Sequence, residues 1–136
     1  MLILFFCLLL PTPNQLQPSN QLVVVASVDS LAMIAREVCG DRADVYSLVE
    51  AGKDPHLAQL TPSMVEEFSK AVLFVSTSHL SVEDRFVESV ARPAGMEVVS
   101  LQDYLAEGAK LSKLPGVSGE NLHGYWLEPD NAIAIA

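Results

Sequence analysis

The residues best suited to chemistry in this sequence are three histidines, His56, His79 and His123. His56 lies in the loop after the second predicted strand, His79 directly after the third, and His123 in the long connection after the fourth. In a parallel sheet all three would leave strand carboxyl ends, on the rim where such sheets bind ligands. Imidazole is the commonest protein ligand for zinc, and separate loops can build a tetrahedral site. The spacing predicts a metal centre, although a single loop histidine is more often a surface residue or a local hydrogen-bond partner.

The elements that must position these histidines are four apolar runs, which predict buried strands. They cover residues 22–27, 45–49, 72–77 and 97–100. After the first run, one apolar helical face appears at i, i+3, i+4, i+7 spacing, formed by Leu31, Ile34, Ala35 and Val38. Strands that alternate with helices predict an α/β fold, here a three-layer lobe with a parallel four-stranded sheet and helices on both faces.

Polar residues, glycine and prolines mark the predicted helix boundaries. The residues suited to N-capping are Asp29 or Ser30, Thr61 before Pro62, and Ser81 with Asp84 as a capping box. Gly40 is a natural end for the first helix. Arg92-Pro93 is predicted to end the helix that follows the third strand. A short helix is predicted over residues 101–106, and Pro129 suits the first position of a last helix.

The amino-terminal residues 2–10 form an uninterrupted apolar run, which is too short to cross a bilayer and is typical of a secretory signal peptide. No Lys or Arg precedes the run, and a buried strand or helix end is the alternative. Residues 11–20 are rich in Pro, Asn and Gln, which indicates a flexible leader. Loss of Cys7 with the signal would leave Cys39 as a lone thiol, packed as a small apolar residue near a helix end.

The net charge of −9 over 136 residues argues against nucleic-acid binding, which needs a basic surface. An acidic surface is compatible with attracting a cation, although it most often serves solubility. No glycine-rich phosphate loop follows a strand, and the sequence has no Gly-x-Ser-x-Gly nucleophile elbow. The two cysteines are too far apart for a zinc-finger pattern.

Three motifs follow one another along the chain. The first is the opening strand and helix, with residues 24–27, 35–38 and 40–42; the second is Asp54-Pro55-His56, followed by residues 61–63. The third is His123 ahead of an aromatic-Trp-Leu-acidic-Pro-x-Asn segment over residues 125–131. In this order the motifs resemble the zinc/manganese-type solute-binding proteins of ABC transporters. The resemblance covers about residues 22–136 of a family roughly twice this length.

The resemblance implies a division of the chain into three parts. Residues 1–21 are expected to be a signal-like apolar segment with a leader, and residues 22–127 an N-terminal α/β metal-binding lobe. Residues 128–136 are expected to be the start of a helix that links two lobes, so the chain is predicted to be truncated.

The resemblance also assigns roles to the histidines. His56 matches the first metal ligand of the family, and Pro55 restricts the backbone around it. The second ligand usually stands two residues before the Trp, where this chain has Gly124; either this glycine forms a bulge that lets His123 reach the same place, or the ligand is displaced or supplied otherwise. His79 falls in a turn that is Asn/Gly-rich in the family, so it is an extra ligand, a support for a ligand or a rim residue. Asp54 or Glu128 could hydrogen-bond a ligating ring.

The implied function is the binding of a transported metal ion, Zn²⁺ or Mn²⁺, and its delivery to the membrane permease of an ABC importer. Such a protein would be an extracytoplasmic monomer, exported by its signal-like segment, and not an enzyme. The loop at 107–121 contains no histidine, so it offers no argument for zinc, and a site with more carboxylate would suit manganese better. The rivals are a metal-dependent hydrolase that uses the same histidines and a truncated, non-functional lobe.

Overall fold

A parallel sheet of four strands forms the centre of the fold. In the computed structural model, which describes residues 21–116 and 118–136, the strands are β1 (Leu22–Val28), β2 (Ala43–Val49), β3 (Leu73–Val75) and β4 (Glu97–Val99). Their order is β2-β1-β3-β4, and every pairing is parallel. The predicted α/β fold with a parallel four-stranded sheet is therefore confirmed, and each apolar run corresponds to one strand.

The helices alternate with the strands as the sequence predicts. They are α1 (Asp29–Cys39), α2 (Pro62–Phe68), α3 (Ser81–Phe86), α4 (Arg92–Ala94), α5 (Leu101–Ala106) and α6 (Pro129–Ile135). A π-helical segment, Val87–Ala91, joins α3 to α4, and short 3-10 turns occupy Gly40–Arg42, Pro55–Leu57 and Tyr125–Leu127. Two of these 3-10 turns belong to the loops that carry His56 and His123.

The helices cover both faces of the sheet. The connection from β1 to β2 runs towards one edge, whereas those from β2 to β3 and from β3 to β4 run towards the other. Right-handed crossovers in opposite directions put α1 on one face and α2 and α3 on the other. On the second face, the ring of Phe86 packs against Phe74 and Phe68, with ring centroids 4.5 and 6.2 Å away. The strands are thus buried between two helical layers, which explains why β1 is almost entirely apolar.

The predicted cap of the first helix is wrong. Helix α1 begins at Asp29, and no side chain caps the preceding Val28. Ser30 instead accepts a hydrogen bond of 2.7 Å from the indole N–H of Trp126. The Ser30 hydroxyl, which the local pattern predicted as a helix cap, is instead the acceptor of a tertiary hydrogen bond.

The predicted capping box of α3 is also wrong. The carboxylate that accepts from the N–H of Leu80, immediately before the helix, belongs to Glu83, at 2.8 Å. Glu83 is buried, whereas Asp84 is exposed. Asp84 lies on the side of the helix that faces water. Glu83, the residue before it, therefore accepts the hydrogen bonds of the turn that precedes α3.

The helix that follows β3 does not end at Arg92-Pro93. It continues to Ala94 and ends at Gly95, which has a left-handed φ of 66°. Proline has no N–H to donate and its ring crowds the preceding turn of a regular helix. The π-helical turns of Val87–Ala91 change the backbone pairing just before the proline, and this accommodates the ring without breaking the helix.

The predictions for Gly40, Thr61 and Cys39 are confirmed. Gly40 ends α1, and Thr61 caps α2 by accepting from the N–H of Met64 at 3.4 Å. Cys39 is the last residue of α1 and is partly buried against the core. Among residues 21–116 and 118–136, no helix is long and apolar enough to cross a membrane. The signal and leader predicted for residues 1–21 lie, apart from Gln21, outside the described residues, and the three-part division of the chain stays a prediction.

Candidate metal centre

His56 is positioned by the turn that follows β2. The side chain of Asp54 accepts a hydrogen bond of 2.9 Å from the backbone N–H of His56, and the Leu57 N–H donates to the Asp54 carbonyl at 3.2 Å. Pro55 occupies the first position of this 3-10 turn, where its fixed φ suits the turn. The turn presents the imidazole of His56 on an exposed part of the rim. Asp54 thus acts on the backbone, whereas the sequence had suggested that it could bond to a ring.

His79 lies in the turn between β3 and α3, which is unusual in its backbone. Ser78 has a φ of 64°, a left-handed conformation that non-glycine residues adopt at a cost. Its N–H donates to the Ser76 hydroxyl at 3.0 Å, and its own hydroxyl accepts from the Leu101 N–H at 2.9 Å. These bonds tie the His79 turn to the strand before it and to the start of α5.

The carboxylate of Glu83 lies beneath the same turn and is almost fully buried, with 2% of the residue exposed. Both of its oxygens accept hydrogen bonds from the turn. The donors are the Ser76 hydroxyl, the Thr77 N–H and hydroxyl, and the N–H groups of His79 and Leu80. These hydrogen bonds compensate the desolvation cost of burying the carboxylate, because both of its oxygens have donors.

His123 is positioned by a short segment just before the Tyr125–Leu127 turn. Asn121 accepts from the His123 N–H at 3.1 Å. Gly124 has a φ of 67° and a ψ of 14°, a left-handed conformation that glycine adopts without steric cost. The chain therefore bends directly after His123, and the imidazole lies beside those of His56 and His79.

The residues that follow His123 anchor it to the core. Tyr125 and Trp126 are both buried, and the Tyr125 hydroxyl donates to the Thr77 carbonyl at 3.3 Å. Asn131, also buried, accepts from the Lys110 N–H at 2.7 Å and donates to the carbonyls of Lys110 and Tyr125, both at 2.8 Å. This network binds the long loop, the aromatic pair and helix α6 together.

The three imidazoles converge at the carboxyl rim of the sheet. Their ring centroids are 5.0 Å (His79–His123), 5.2 Å (His56–His123) and 5.6 Å (His56–His79) apart. One nitrogen of each ring can be chosen so that all three nitrogens lie within 4.8 Å of one another. A tetrahedral zinc ion with Zn–N bonds of about 2.0–2.1 Å needs nitrogens ~3.3 Å apart, a spacing within reach of small side-chain rotations.

The most buried of the three rings favours its neutral, coordinating form. Burial is the main cause that lowers the pKa of His79; the nearby rings of His123 and His56 also lower it, and the charge of Glu83 opposes them. Its Nδ1 atom is buried and has no hydrogen-bond partner in the part of the chain that the structure describes. A buried ring nitrogen without a hydrogen-bond partner is compatible with a metal ion, since coordination would satisfy it.

Comparison with known proteins identifies the chain at the level of family. Residues 24–136 match the family described as zinc-uptake complex component A, periplasmic (ZnuA). The chain belongs to this family. The match takes in the three histidines and almost all of the described sheet, so the resemblance stated from the motifs is confirmed.

Curated relatives of this ZnuA-family chain are substrate-binding lipoproteins of metal ABC transporters. It is 30% identical over 145 residues to SsaB of Streptococcus sanguinis, a match covering 100% of this chain and 46% of the relative. It is 30% identical over 125 residues to ScaA of Streptococcus gordonii, named for manganese, a match that covers 87% of this chain and 39% of the relative. It is 27% identical over 132 residues to MtsA of Streptococcus pyogenes serotype M1, named for iron, a match that covers 90% of this chain and 41% of the relative. The chain spans less than half the length of these relatives.

Solved structures share the fold of this ZnuA-family lobe. A zinc-bound ZnuA deletion mutant aligns with a TM-score of 0.65 at 22% identity, covering 85% of this chain and 45% of that one. The manganese-bound periplasmic metal-binding protein of Candidatus Liberibacter asiaticus aligns with a TM-score of 0.65 at 24% identity, covering 85% and 42%. At these identities the likeness concerns the fold alone.

The sequence predicted all three histidines of the cluster but not the residues that hold these histidines in position. The structure brings His56, His79 and His123 together, and their role as metal ligands stays a prediction. Glu83 was missed because an acidic residue three positions into a helix signals a cap and not a buried anion. Asn131 was noticed only as part of a motif, although its buried amide joins three segments.

Proposed function

We propose that this chain is the metal-binding lobe of an extracytoplasmic solute-binding protein, which holds a divalent ion for import. The observation that carries the proposal is the convergence of three imidazoles, each from a different strand-end loop, with one nitrogen of each ring within 4.8 Å of the others. Three neutral imidazoles can hold zinc with the remaining position open to water. We propose His56, His79 and His123 as the ligands.

The position of the cluster suits a protein that must release its ion. His56 and His123 are exposed and His79 is half-buried, so a bound ion would remain accessible from solvent. Structural zinc sites, in contrast, are usually closed by four protein ligands. Three imidazoles on this rim would leave a coordination position for a further ligand, which supports reversible binding of Zn²⁺ or Mn²⁺ as cargo.

The relatives support a proposal for the partner and the location. SsaB and ScaA are named as substrate-binding lipoproteins of metal ABC transporters, and the family is described as periplasmic. We propose that this protein is likewise extracytoplasmic and delivers its ion to the membrane permease of an ABC importer. We further propose that it acts as a monomer.

The rival function is hydrolysis by a metal-bound water at the same three histidines. The relatives named as substrate-binding proteins favour carriage of the ion over chemistry on a substrate. The zinc-loaded protein should therefore hydrolyse generic ester and phosphate substrates no faster than free zinc does. A rate above that of free zinc that disappears in His56→Ala would support the hydrolase instead.

The site can be tested by isothermal titration of the purified chain with zinc and with manganese. The wild-type protein should bind one ion, and His56→Ala and His123→Ala should each abolish most of the heat of binding. A matched control is Gln102→Ala, an exposed position on α5. Zinc affinity unchanged in both histidine variants would remove this site, and with it the proposed function.

A further inference from the structure

The turn that carries His79 is organised around one buried side chain. Five groups of residues 76–80 donate to the carboxylate of Glu83, and three of them are backbone N–H groups. The N–H of His79 itself is one of these, at 3.0 Å from Oε2. A single carboxylate thus takes the place of the backbone pairing that the turn lacks as the chain leaves β3 and enters α3.

The same turn contains a residue in an unfavourable conformation. Ser78 has a φ of 64°, so the backbone needs compensating contacts to stay in this shape. The Glu83 bonds lie on both sides of Ser78, at Thr77 before it and at His79 and Leu80 after it. Ser78 also donates its own N–H to the Ser76 hydroxyl at 3.0 Å, but the bonds that follow Ser78 within the turn, at His79 and Leu80, go to Glu83.

We propose that Glu83 is the positioning residue of the metal site, whose carboxylate holds residues 76–80 so that the His79 imidazole faces His56 and His123. The inference rests on the proposed function in one respect, because it requires His79 to be a ligand. Glu83 does not contact the ion; it acts through the backbone of the turn. Groups outside the ligand set that orient a metal ligand by bonding to its side chain typically affect affinity by about 10–100-fold when they are replaced, and we expect an effect of this order here.

Two tyrosine hydroxyls also bond to this turn, but at other groups than those that bond to Glu83. The Tyr104 hydroxyl donates to the Ser76 carbonyl at 3.1 Å, and the Tyr125 hydroxyl donates to the Thr77 carbonyl. Burial raises the pKa of both tyrosines well above the usual value, so both hydroxyls remain donors. Both act on carbonyl groups before Ser78, whereas the contact with the His79 N–H belongs to Glu83 alone among the described residues.

The test is a double-mutant cycle on zinc affinity, measured by titration against a chromophoric chelator. Glu83→Gln keeps the size of the side chain but replaces one acceptor oxygen with an NH₂ group, which faces donors from the turn. In the wild-type background it should weaken zinc binding by about 10–100-fold. In the His79→Ala background the same change should weaken binding by less than about threefold, because the ligand through which Glu83 acts is already absent.

Two further variants keep the result interpretable. Glu88→Gln makes the same substitution at an exposed position further along the same continuous helix, where the carboxylate pairs with Arg92, and it should leave zinc affinity unchanged. If Glu83→Gln does not fold by circular dichroism, Thr77→Val replaces it in the cycle. That change removes the hydroxyl that donates to both carboxylate oxygens at 3.0 Å but keeps the shape of the side chain.

The outcomes separate this inference from the proposed function. Equal losses from Glu83→Gln with and without His79, or no loss in a folded protein, would overturn the positioning role. The same holds if His79→Ala binds zinc like the wild type while His56→Ala does not, since His79 would then be no ligand. If His56→Ala and His123→Ala also bind normally, the proposed function fails as well.

Discussion

Trp126 donates its indole N–H to the hydroxyl of Ser30 over 2.7 Å, a bond between positions 96 residues apart in the chain. Ser30 is in the first turn of α1, and Trp126 follows His123 by three residues. The indole also lies beside His79, with ring centroids 5.9 Å apart. The bond therefore fixes the Tyr125–Leu127 turn to the first helix, beside one member of the histidine cluster.

Removal of the Ser30 hydroxyl should destabilise the protein. Ser30→Ala leaves the N–H of a buried indole without its acceptor, which costs about 1–3 kcal/mol of unfolding free energy. Urea unfolding followed by tryptophan fluorescence would measure the loss, and Ser89→Ala, at an exposed helical position, is the control. Equal stabilities for the two variants would mean that the bond contributes nothing.

The site should prefer zinc over manganese. Within the described residues the cluster offers only imidazole nitrogens, and such ligands favour metals late in the Irving–Williams order over manganese, which suits carboxylates and water. After equilibrium dialysis against equimolar zinc and manganese, elemental analysis should find zinc in excess in the protein. His79→Asp, which exchanges an imidazole for a carboxylate, should reduce this excess; retention of manganese by the wild type would contradict the expectation.

Acid should destabilise the metal-free protein through His79. Its pKa is lowered in the folded state, chiefly by burial, whereas the unfolded chain takes up a proton near the ordinary value of about 6.5. The unfolded state then binds more protons, so stability falls as the pH drops from about 6.5 towards the lower folded pKa. Urea unfolding with a chelator present, at about pH 7.5 and 5.5, should show a larger loss for the wild type than for His79→Gln. A loss of the same size in both proteins would assign the effect to other groups.

The backbone at Gly124 should be important for both stability and binding. Gly124→Ala places a Cβ atom 3.5 Å from the Leu127 side chain, an ordinary contact, so the cost comes from the left-handed φ of 67° and is about 1–2 kcal/mol. A shift of this backbone would also move His123 and weaken zinc binding in the same titration. Gly124→Asn is the control, because asparagine tolerates this conformation better; a Gly124→Ala protein as stable as the wild type would be the contrary result.

Much of the fold could be predicted because its signals are local. The apolar run at 22–27 indicates a strand buried on both faces, Gly40 indicates a helix end, and Thr61 before Pro62 indicates a helix start. The rim that the three histidines share was predictable for a related reason, since parallel strands bring their carboxyl ends to one edge of a sheet.

The supporting residues could not be predicted in the same way, because their partners are distant or depend on burial. Ser30 carries a good local capping signal, yet it bonds to Trp126 from the other end of the chain. Asp84 and Glu83 both suit a position near the helix start, and only the packing of α3 on the sheet decides which carboxylate turns inward. Pro93 marks a helix end by its own chemistry, but the π-helical turns before it allow the helix to continue.

The sequence by itself determined the order of the elements, the parallel sheet and the edge on which the three histidines stand, because apolar periodicity and strand direction act over short stretches of chain. Only the tertiary structure decided how close the three rings lie, with centroids 5.0, 5.2 and 5.6 Å apart. These distances depend on single residues that redirect the backbone, Ser78 and Gly124, and on the buried carboxylate of Glu83 that stabilises one of those bends. Such contacts join residues from different elements, so no periodic pattern in the sequence indicates them.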